Sequence, residues 1–326
     1  MNTYDPKYHD NKRALITGIL GQDGFYLTKK LLEHGYQVFG TTRNLCNIKS
    51  SNIAKFNYLD RVKIIQLNPL IYTEVLDQIE RIRPSEVYNL SGQSSVGYSF
   101  QSPRETIESH VISCLNLLEC IRTMGEEIRF YNAGSAEVFG DPNGIPISET
   151  TPHDPISPYG LAKSQSAKLV EYYRNYYGLY ACTGYLFNHE SPLRSDTYVT
   201  QKIIQAARDI ASGSRDRLIL GNINIVRDWG YAAEYVEAKR RLLSLSTPED
   251  FIIATGRSHS LKEFIDIVFS SYGLDWNAHI DIDPGLYREA DILENAADVR
   301  KAQSLLKWKA KVQIDELIRI MINEQY

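Results

Sequence analysis

The sequence predicts an α/β fold: a doubly wound parallel sheet followed by a smaller, mixed C-terminal lobe. Three observations carry that expectation. Short apolar runs alternate with longer amphipathic segments through the first half, which is the rhythm of βαβ units. A glycine-rich turn separates the first apolar run from the first amphipathic segment. After Phe187 the rhythm gives way to loops interrupted by shorter helical patterns.

Strands are expected at Arg13 to Thr17, Gln37 to Thr42, Val62 to Leu67, Glu86 to Leu90, Arg129 to Ala133 and Tyr180 to Phe187, where turn residues bound β-branched and aromatic residues. Between them Gly24 to His34, Ile71 to Arg81, Arg104 to Met124 and Tyr159 to Tyr177 carry apolar residues at three- and four-residue spacing, over lengths suited to crossover helices. The same spacing recurs at Thr200 to Ala211, Tyr231 to Leu243, Leu261 to Tyr272 and Ile314 to Ile322. No repeat or Pro/Gly/Ser linker divides the chain. Residues 1–187 are therefore expected as one domain and residues 188–326 mainly as a second, with part of the chain returning to the first.

Composition narrows the function classes. The 36 basic side chains against 40 acidic ones leave a net charge of -4 and no cationic surplus, which argues against nucleic-acid binding. Apolar runs such as Phe251 to Ala254 fall far short of the ~20 residues a bilayer span needs, so no membrane partner is expected. Met1 to Arg13 is polar and carries no readable secretory signal. Cys46, Cys114, Cys120 and Cys182 make no CxxC pair, so reduced thiols in the cytoplasm are expected and no metal site.

Gly18, Gly21 and Gly24 follow the first expected strand and open the first expected helix. In that context the first glycine permits the turn, the second lets the backbone approach a pyrophosphate, and the third lets the helix pack closely. The alternative is a β–α turn that binds nothing. The spacing of three between the first two glycines resembles the short-chain dehydrogenase/reductase superfamily, a Rossmann-like fold. The second expected strand runs into Arg43 with no carboxylate, which suits the 2′-phosphate of NADP rather than the ribose hydroxyls of NAD; a solvated surface arginine is the alternative.

Five YxxxK pairs occur: Tyr8/Lys12, Tyr26/Lys30, Tyr159/Lys163, Tyr198/Lys202 and Tyr235/Lys239. Only Tyr159/Lys163 opens a long helix after the fifth expected strand, downstream of Ser135. On a helix i and i+4 share a face, so the Lys163 ammonium is expected to lower the Tyr159 phenol and hold a nicotinamide ribose. A phenolate near neutral pH takes a proton from a sugar hydroxyl as hydride leaves the same carbon. Ser135 and Glu137 stand two residues apart, on one side of a segment expected to be extended. A reductase or epimerase needs no such second base, whereas a dehydratase needs one to remove the proton next to a ketone. Taken alone, Glu137 also suits an exposed strand-end glutamate.

These residues bring the chain to a resemblance. From Ala14 to the C-terminal helix it resembles the GDP-mannose 4,6-dehydratases, which are extended short-chain dehydrogenases/reductases. The carrying segments are ALITGILGQDG, YNLSGQSSV, SPYGLAKS, LFNHESPLRSDTYVTQKI, LGNINIVRDWGYAAEYVEA and FIIATG. The resemblance implies Ser135, Glu137, Tyr159 and Lys163 as catalytic groups. It implies cofactor contacts from Gly18, Gln22, Asp23, Arg43, Gln93, Lys163, His189 and Arg194, beside Gly21 and Gly24 of the turn. The nucleotide sugar would meet Asn188, Val199, Lys202, Arg227 and Arg288. Without it His189 reads as a satisfied histidine between the lobes. Ser135 stands where the family usually has threonine, Asn68-Pro69 where it has Asp-Leu, Asn44 where it has a second arginine and Glu105 where it has tyrosine.

The expectation is therefore an NADP-binding Rossmann-like domain and a nucleotide-sugar lobe, a hydro-lyase converting GDP-mannose to GDP-4-keto-6-deoxymannose. A GDP-heptose dehydratase, an epimerase or reductase, and a non-catalytic cofactor-sensing module are the alternatives. Ile107, Val111, Cys114, Leu115, Leu118 and Ile121, with Leu169, Tyr172, Tyr173, Tyr176 and Tyr177, make apolar helix surfaces wider than a sheet-facing stripe needs, which points to a homodimer or homotetramer.

Overall fold

Twelve strands organise the computed structural model, which describes residues 12–288 and 290–323. Of the polar stretch Met1 to Arg13, residues 1–11, with Tyr8 of the first YxxxK pair, lie outside those residues. In chain order the strands are β1 (Arg13–Thr17), β2 (Gln37–Thr42), β3 (Val62–Gln66), β4 (Glu86–Asn89), β5 (Arg129–Ala133), β6 (Ala181–Leu186), β7 (Asn188–Glu190), β8 (Leu218–Leu220), β9 (Val226–Tyr231), β10 (Phe251–Ile253), β11 (Ser258–Ser260) and β12 (Ile280–Ile282).

Seven of them form one parallel sheet in the order β10-β6-β5-β4-β1-β2-β3. Helices on both faces leave β4, β5 and β6 wholly buried, so that even Glu86, Asn89, Arg129 and Asn132 within them are sealed from solvent. On one face Val75, Ile79, Leu117, Leu118 and Val170 of three crossover helices pack on Leu15, Val87 and Phe130. On the other, Phe25, Leu27 and Leu31 of the Gln22–Glu33 helix and Tyr235, Val236 and Leu242 of the Ala232–Leu242 helix cover Ile16, Tyr88 and Tyr131. Each such burial stabilises the fold by about 1.5–3 kcal/mol. Strand order reverses between β1 and β4, which opens a crevice at their carboxyl ends.

A second core of Ile203, Ile204, Phe264, Phe269, Leu317 and Met321 lies under two small sheets, β11-β9-β7 and β12-β8. These short strands fall where the sequence suggested only loops between helices. The other differences are local. β10 was not expected as a strand, yet Phe251 and Ile253 pair with Gly184 and Leu186 of β6, so a segment from the second half of the chain completes the seven-stranded sheet. The helical span from Arg104 to Met124 is three pieces: Pro103–Ile107, a π turn at Glu108–Ile112 that carries buried His110, and Ser113–Met124. Among the described residues no helix is long and apolar enough to cross a membrane.

Candidate active site

Ser135 ends the β5 extension in a β conformation and caps a 3-10 turn, Ala136–Phe139, its hydroxyl accepting from the Glu137 amide at 3.2 Å. The segment expected to be extended is therefore a turn. The Pro158–Tyr177 helix opens with Ser157 accepting from the Gly160 amide at 3.0 Å and with Pro158 in its first turn. Gly160 is what lets this turn approach: a Cβ there would lie 2.5 Å from the Glu137 carbonyl oxygen. The helix start and the 3-10 turn are thereby pressed together, with Tyr159 and Glu137 on one site.

Burial pushes the Tyr159 phenol upward, and a hydrogen bond with Ser135 draws it part of the way back. Lys163 bonds to the backbone and not to the Tyr159 phenol. Its Nζ donates to the Ala133 carbonyl at 2.7 Å and lies 5.7 Å from the centre of the Tyr159 ring, because the last carbonyl of β5 is the nearest acceptor. Burial brings the Lys163 ammonium down to about 8. Burial also raises the Glu137 carboxyl, opposed by the Arg227 and Arg288 charges and reinforced by Asp291. Arg227, 3% exposed on β9, donates to Asp291 Oδ1 at 3.2 Å, and Arg288 lies 3.5 Å from the same oxygen.

Gln93 and Arg194 border this cluster, whereas Asn188 starts β7, paired with Trp229 of β9. The Gln93 carbonyl accepts from His110 Nε2 at 2.6 Å, and the His110 ring meets Tyr159 edge to face at 5.5 Å. Arg194 lies 3.2 Å from Glu190 without an aligned hydrogen bond and covers the Tyr198 ring at 3.6 Å. Val199 and Lys202 stand on the first turn of the Val199–Ala211 helix, Lys202 exposed. His110, Tyr198 and Asp291 were not singled out from the sequence for this site, and only the Tyr198/Lys202 spacing hinted at one of them.

The glycine turn lies next to it at the strand-order reversal. Gly18 takes φ +74°, and Gly21 precedes the Gln22–Glu33 helix whose free amides face the crevice. The Gln22 and Asp23 side chains point to β7 and the residue after it. Gln22 donates to the His189 carbonyl at 3.1 Å and accepts from Ser191 at 2.6 Å, and Asp23 accepts from His189 Nε2 at 2.9 Å. Arg43 stands apart, at the end of β2, where it lines a cavity of about 740 Å³ with Asn44, Asn47, Ser50 and Ser51. Guanidinium, amide and hydroxyl donors around that volume fit a phosphorylated ribose.

The chain matches the family described as GDP-mannose 4,6 dehydratase over residues 15–321. It is 42% identical to GDP-mannose 4,6 dehydratase 1 of Arabidopsis thaliana over 96% of this chain and 89% of that one. It is 39% identical to the Yersinia enterocolitica GDP-mannose 4,6-dehydratase (95% and 93%) and 37% identical to the human one (95% and 90%). Among solved structures it superposes on a UDP-glucose 4-epimerase of Thermotoga maritima with a TM-score of 0.83, 24% identity and 95% and 97% coverage. A dTDP-glucose 4,6-dehydratase of Streptomyces venezuelae gives 0.82, 20% identity and 94% and 96% coverage. Sheet order, the glycine turn and a tyrosine, serine and glutamate on one crevice thus agree with the sequence relationship, and the chain belongs to the GDP-mannose 4,6-dehydratase family.

Proposed function

We propose that the chain catalyses the NADP-dependent 4,6-dehydration of GDP-mannose to GDP-4-keto-6-deoxymannose and water. The observation that carries this reading is Glu137, half-buried on the 3-10 turn whose backbone carbonyl lies against Gly160 at the start of the Tyr159 helix, with the Arg227 and Arg288 charges acting on its carboxyl. An epimerase or reductase needs Tyr159 and Ser135 but has no use for that second base, and a cofactor-sensing module needs neither.

NADP is the cofactor that the Arg43 cavity and the glycine turn fit: Gly18, Gly21 and Gly24 would face its diphosphate, and Gln93, Lys163, His189 and Arg194 would border its nicotinamide half. Bound there, it supplies reversible hydride acceptance and a positive ring beside the phenol. Ser135 orients the sugar O4 by hydrogen bonding, and Tyr159 accepts its proton. Lys163, released from Ala133, holds a ribose hydroxyl. Glu137 then removes H5, made acidic by the C4 ketone, and returns a proton to the departing C6 hydroxyl, which leaves as water; the C5–C6 double bond left behind takes the proton held by Tyr159 at C5, and the hydride taken from C4 would close it at C6, leaving the cofactor as it began. Arg227, Arg288 and Lys202 would pair with the substrate diphosphate, and Asn188 and Val199 would border the sugar and base.

Residues 1–187 then hold cofactor and chemistry, and the remainder mainly grips the nucleotide sugar. Exposed Tyr172, Tyr176 and Tyr177 support a homodimer across the Pro158–Tyr177 helix, with a tetramer through the segment after Arg43. Cys46, Cys114, Cys120 and Cys182 are free thiols, which supports a reducing compartment such as the cytoplasm. Incubation of the purified protein with NADP and GDP-mannose tests the reading by mass spectrometry. A product lighter by one water is expected; an epimer of unchanged mass, or no product, overturns it.

A further inference from the structure

Tyr235/Lys239 has the same YxxxK spacing as Tyr159/Lys163 and also lies on a helix, but it serves a different end of the crevice. The Lys239 side chain is fully buried, 0% exposed, on the face of the Ala232–Leu242 helix turned toward the Gln22–Glu33 helix. A lysine is almost never buried to that extent without an anionic partner. Its partner is Asp23, inside the glycine turn, to which Nζ donates. One helical turn earlier Tyr235 stacks on the His189 ring, with centroids 4.8 Å apart and 19° between planes. His189 Nε2 meets Asp23 at 2.9 Å while its Nδ1 meets the Phe187 carbonyl at 2.8 Å, so both ring nitrogens face oxygens that only accept. One helix thus grips both members of the Asp23–His189 pair across the seam between the lobes.

The position of Asp23 makes this more than packing. It lies in the first turn of the helix whose free amides form the anion-binding end of the glycine turn. Burial alone would push its carboxyl up, yet His189 and Lys239 hold it well below the usual carboxylate range, as an anion. An uncompensated carboxylate there would repel an incoming diphosphate. We propose that Lys239 is a positioning residue of the dinucleotide site: by ion-pairing with Asp23 it cancels that charge and fixes Asp23 and His189 where a cofactor diphosphate approaches. The proposal rests on the reading of the crevice as an NADP site.

The experiment is calorimetry of NADP binding to wild type, Lys239→Met, and the double variant Asp23→Asn/Lys239→Met, with GDP-mannose KM measured at saturating NADP. Methionine keeps the length and removes the charge. Lys239→Met is expected to weaken NADP binding roughly 10-fold or more, with the GDP-mannose KM nearly unchanged. The double variant, which removes both charges, is expected to bind NADP more tightly than the single one. Equal NADP affinity of Lys239→Met and wild type, or a double variant no better than the single, overturns the proposal. If Lys239→Met does not fold, a folded, NADP-binding double variant supports the charge role, and a double variant that also fails to fold overturns it in favour of packing. The wild-type titration separates the two readings: absence of any nicotinamide dinucleotide binding there removes the NADP reading itself and the proposal with it.

Discussion

Lys163 donates its ammonium to the Ala133 carbonyl at 2.7 Å, not to the Tyr159 hydroxyl four residues earlier on its own helix. The helix puts the two side chains on one face, but β5 ends with an acceptor closer than the phenol. In this arrangement burial brings the ammonium to about 8 while Tyr159 is pushed up. A lysine whose folded-state pKa is depressed destabilises the fold fully below that value, and the penalty disappears as pH rises toward the unfolded value near 10.5. Lys163→Met should therefore be more stable than wild type at pH 7, by on the order of 3 kcal/mol at most. The gap should close between about pH 8 and 10.5. Thermal melts of both proteins across that range check this, and a gap independent of pH contradicts it.

Glu137→Gln should fold and lose roughly 100-fold or more in turnover, the scale for removing a general base. Burial raises the Glu137 carboxyl, so the ionised form destabilises the fold above that raised value. The glutamine variant should be at least as stable as wild type at pH 7. Exchange of the sugar H5 with deuterated solvent reports the step directly and should vanish; turnover near wild-type rate would remove Glu137 from the chemistry.

Gly160→Ala tests the contact that assembles the site. The added Cβ would fall 2.5 Å from the Glu137 carbonyl oxygen, a backbone atom that cannot swing aside. A loss of about 1–3 kcal/mol in denaturant unfolding is expected, the usual cost of overpacking, together with reduced turnover as the 3-10 turn is displaced. Unchanged stability and turnover would mean that the helix start and the turn are not in contact.

Arg43 at the 740 Å³ cavity should favour NADP over NAD. Charged phosphate hydrogen bonds contribute roughly 1.5 to 3 kcal/mol, which corresponds to ~10- to 100-fold. Asn44 beside it brings no second charge, which keeps the preference within that range. Calorimetry with both dinucleotides decides: equal or tighter NAD binding contradicts the role, and Arg43→Ala should bring the two affinities together.

What could be read in the sequence follows from which interactions are local. β1 to β6 announce themselves because each gathers β-branched or aromatic residues between turn residues, and the Tyr159/Lys163 pair because a helix repeats every 3.6 residues. β10 has three residues and joins β6 from far along the chain, so nothing nearby marks Phe251–Ile253 as its neighbour. The same reason hides the ion pairs. Lys239 finds Asp23 across 216 positions and Arg227 finds Asp291 across 64. A charged residue looks the same in sequence whether solvated or buried, and only the packing of the Ala232–Leu242 helix on the glycine turn distinguishes them. The Ser135–Glu137 turn was missed differently: spacing of two suits a strand, but a serine before three apolar or acidic residues equally suits a cap.

The remaining prediction concerns assembly. On the Pro158–Tyr177 helix Tyr173 is buried against its own subunit, with its hydroxyl bonded to Glu119, whereas Tyr172, Tyr176 and Tyr177 are 48%, 73% and 47% exposed. The Tyr172 and Tyr176 rings lie 4.6 Å apart with 31° between their planes, which makes a continuous aromatic surface of two adjacent turns. A sheet-facing stripe needs none of these rings, and tyrosine is enriched at interface cores because a large apolar ring is ordered there at low entropic cost. The wild-type protein should therefore run as a dimer at micromolar concentration in light scattering. Tyr172→Glu/Tyr176→Glu places two charges on that surface without touching the buried face of the helix. It should shift the mass to that of a monomer while far-ultraviolet circular dichroism stays unchanged. A wild-type monomer, or a doubly substituted protein that remains dimeric, would assign the interface to another surface or to none.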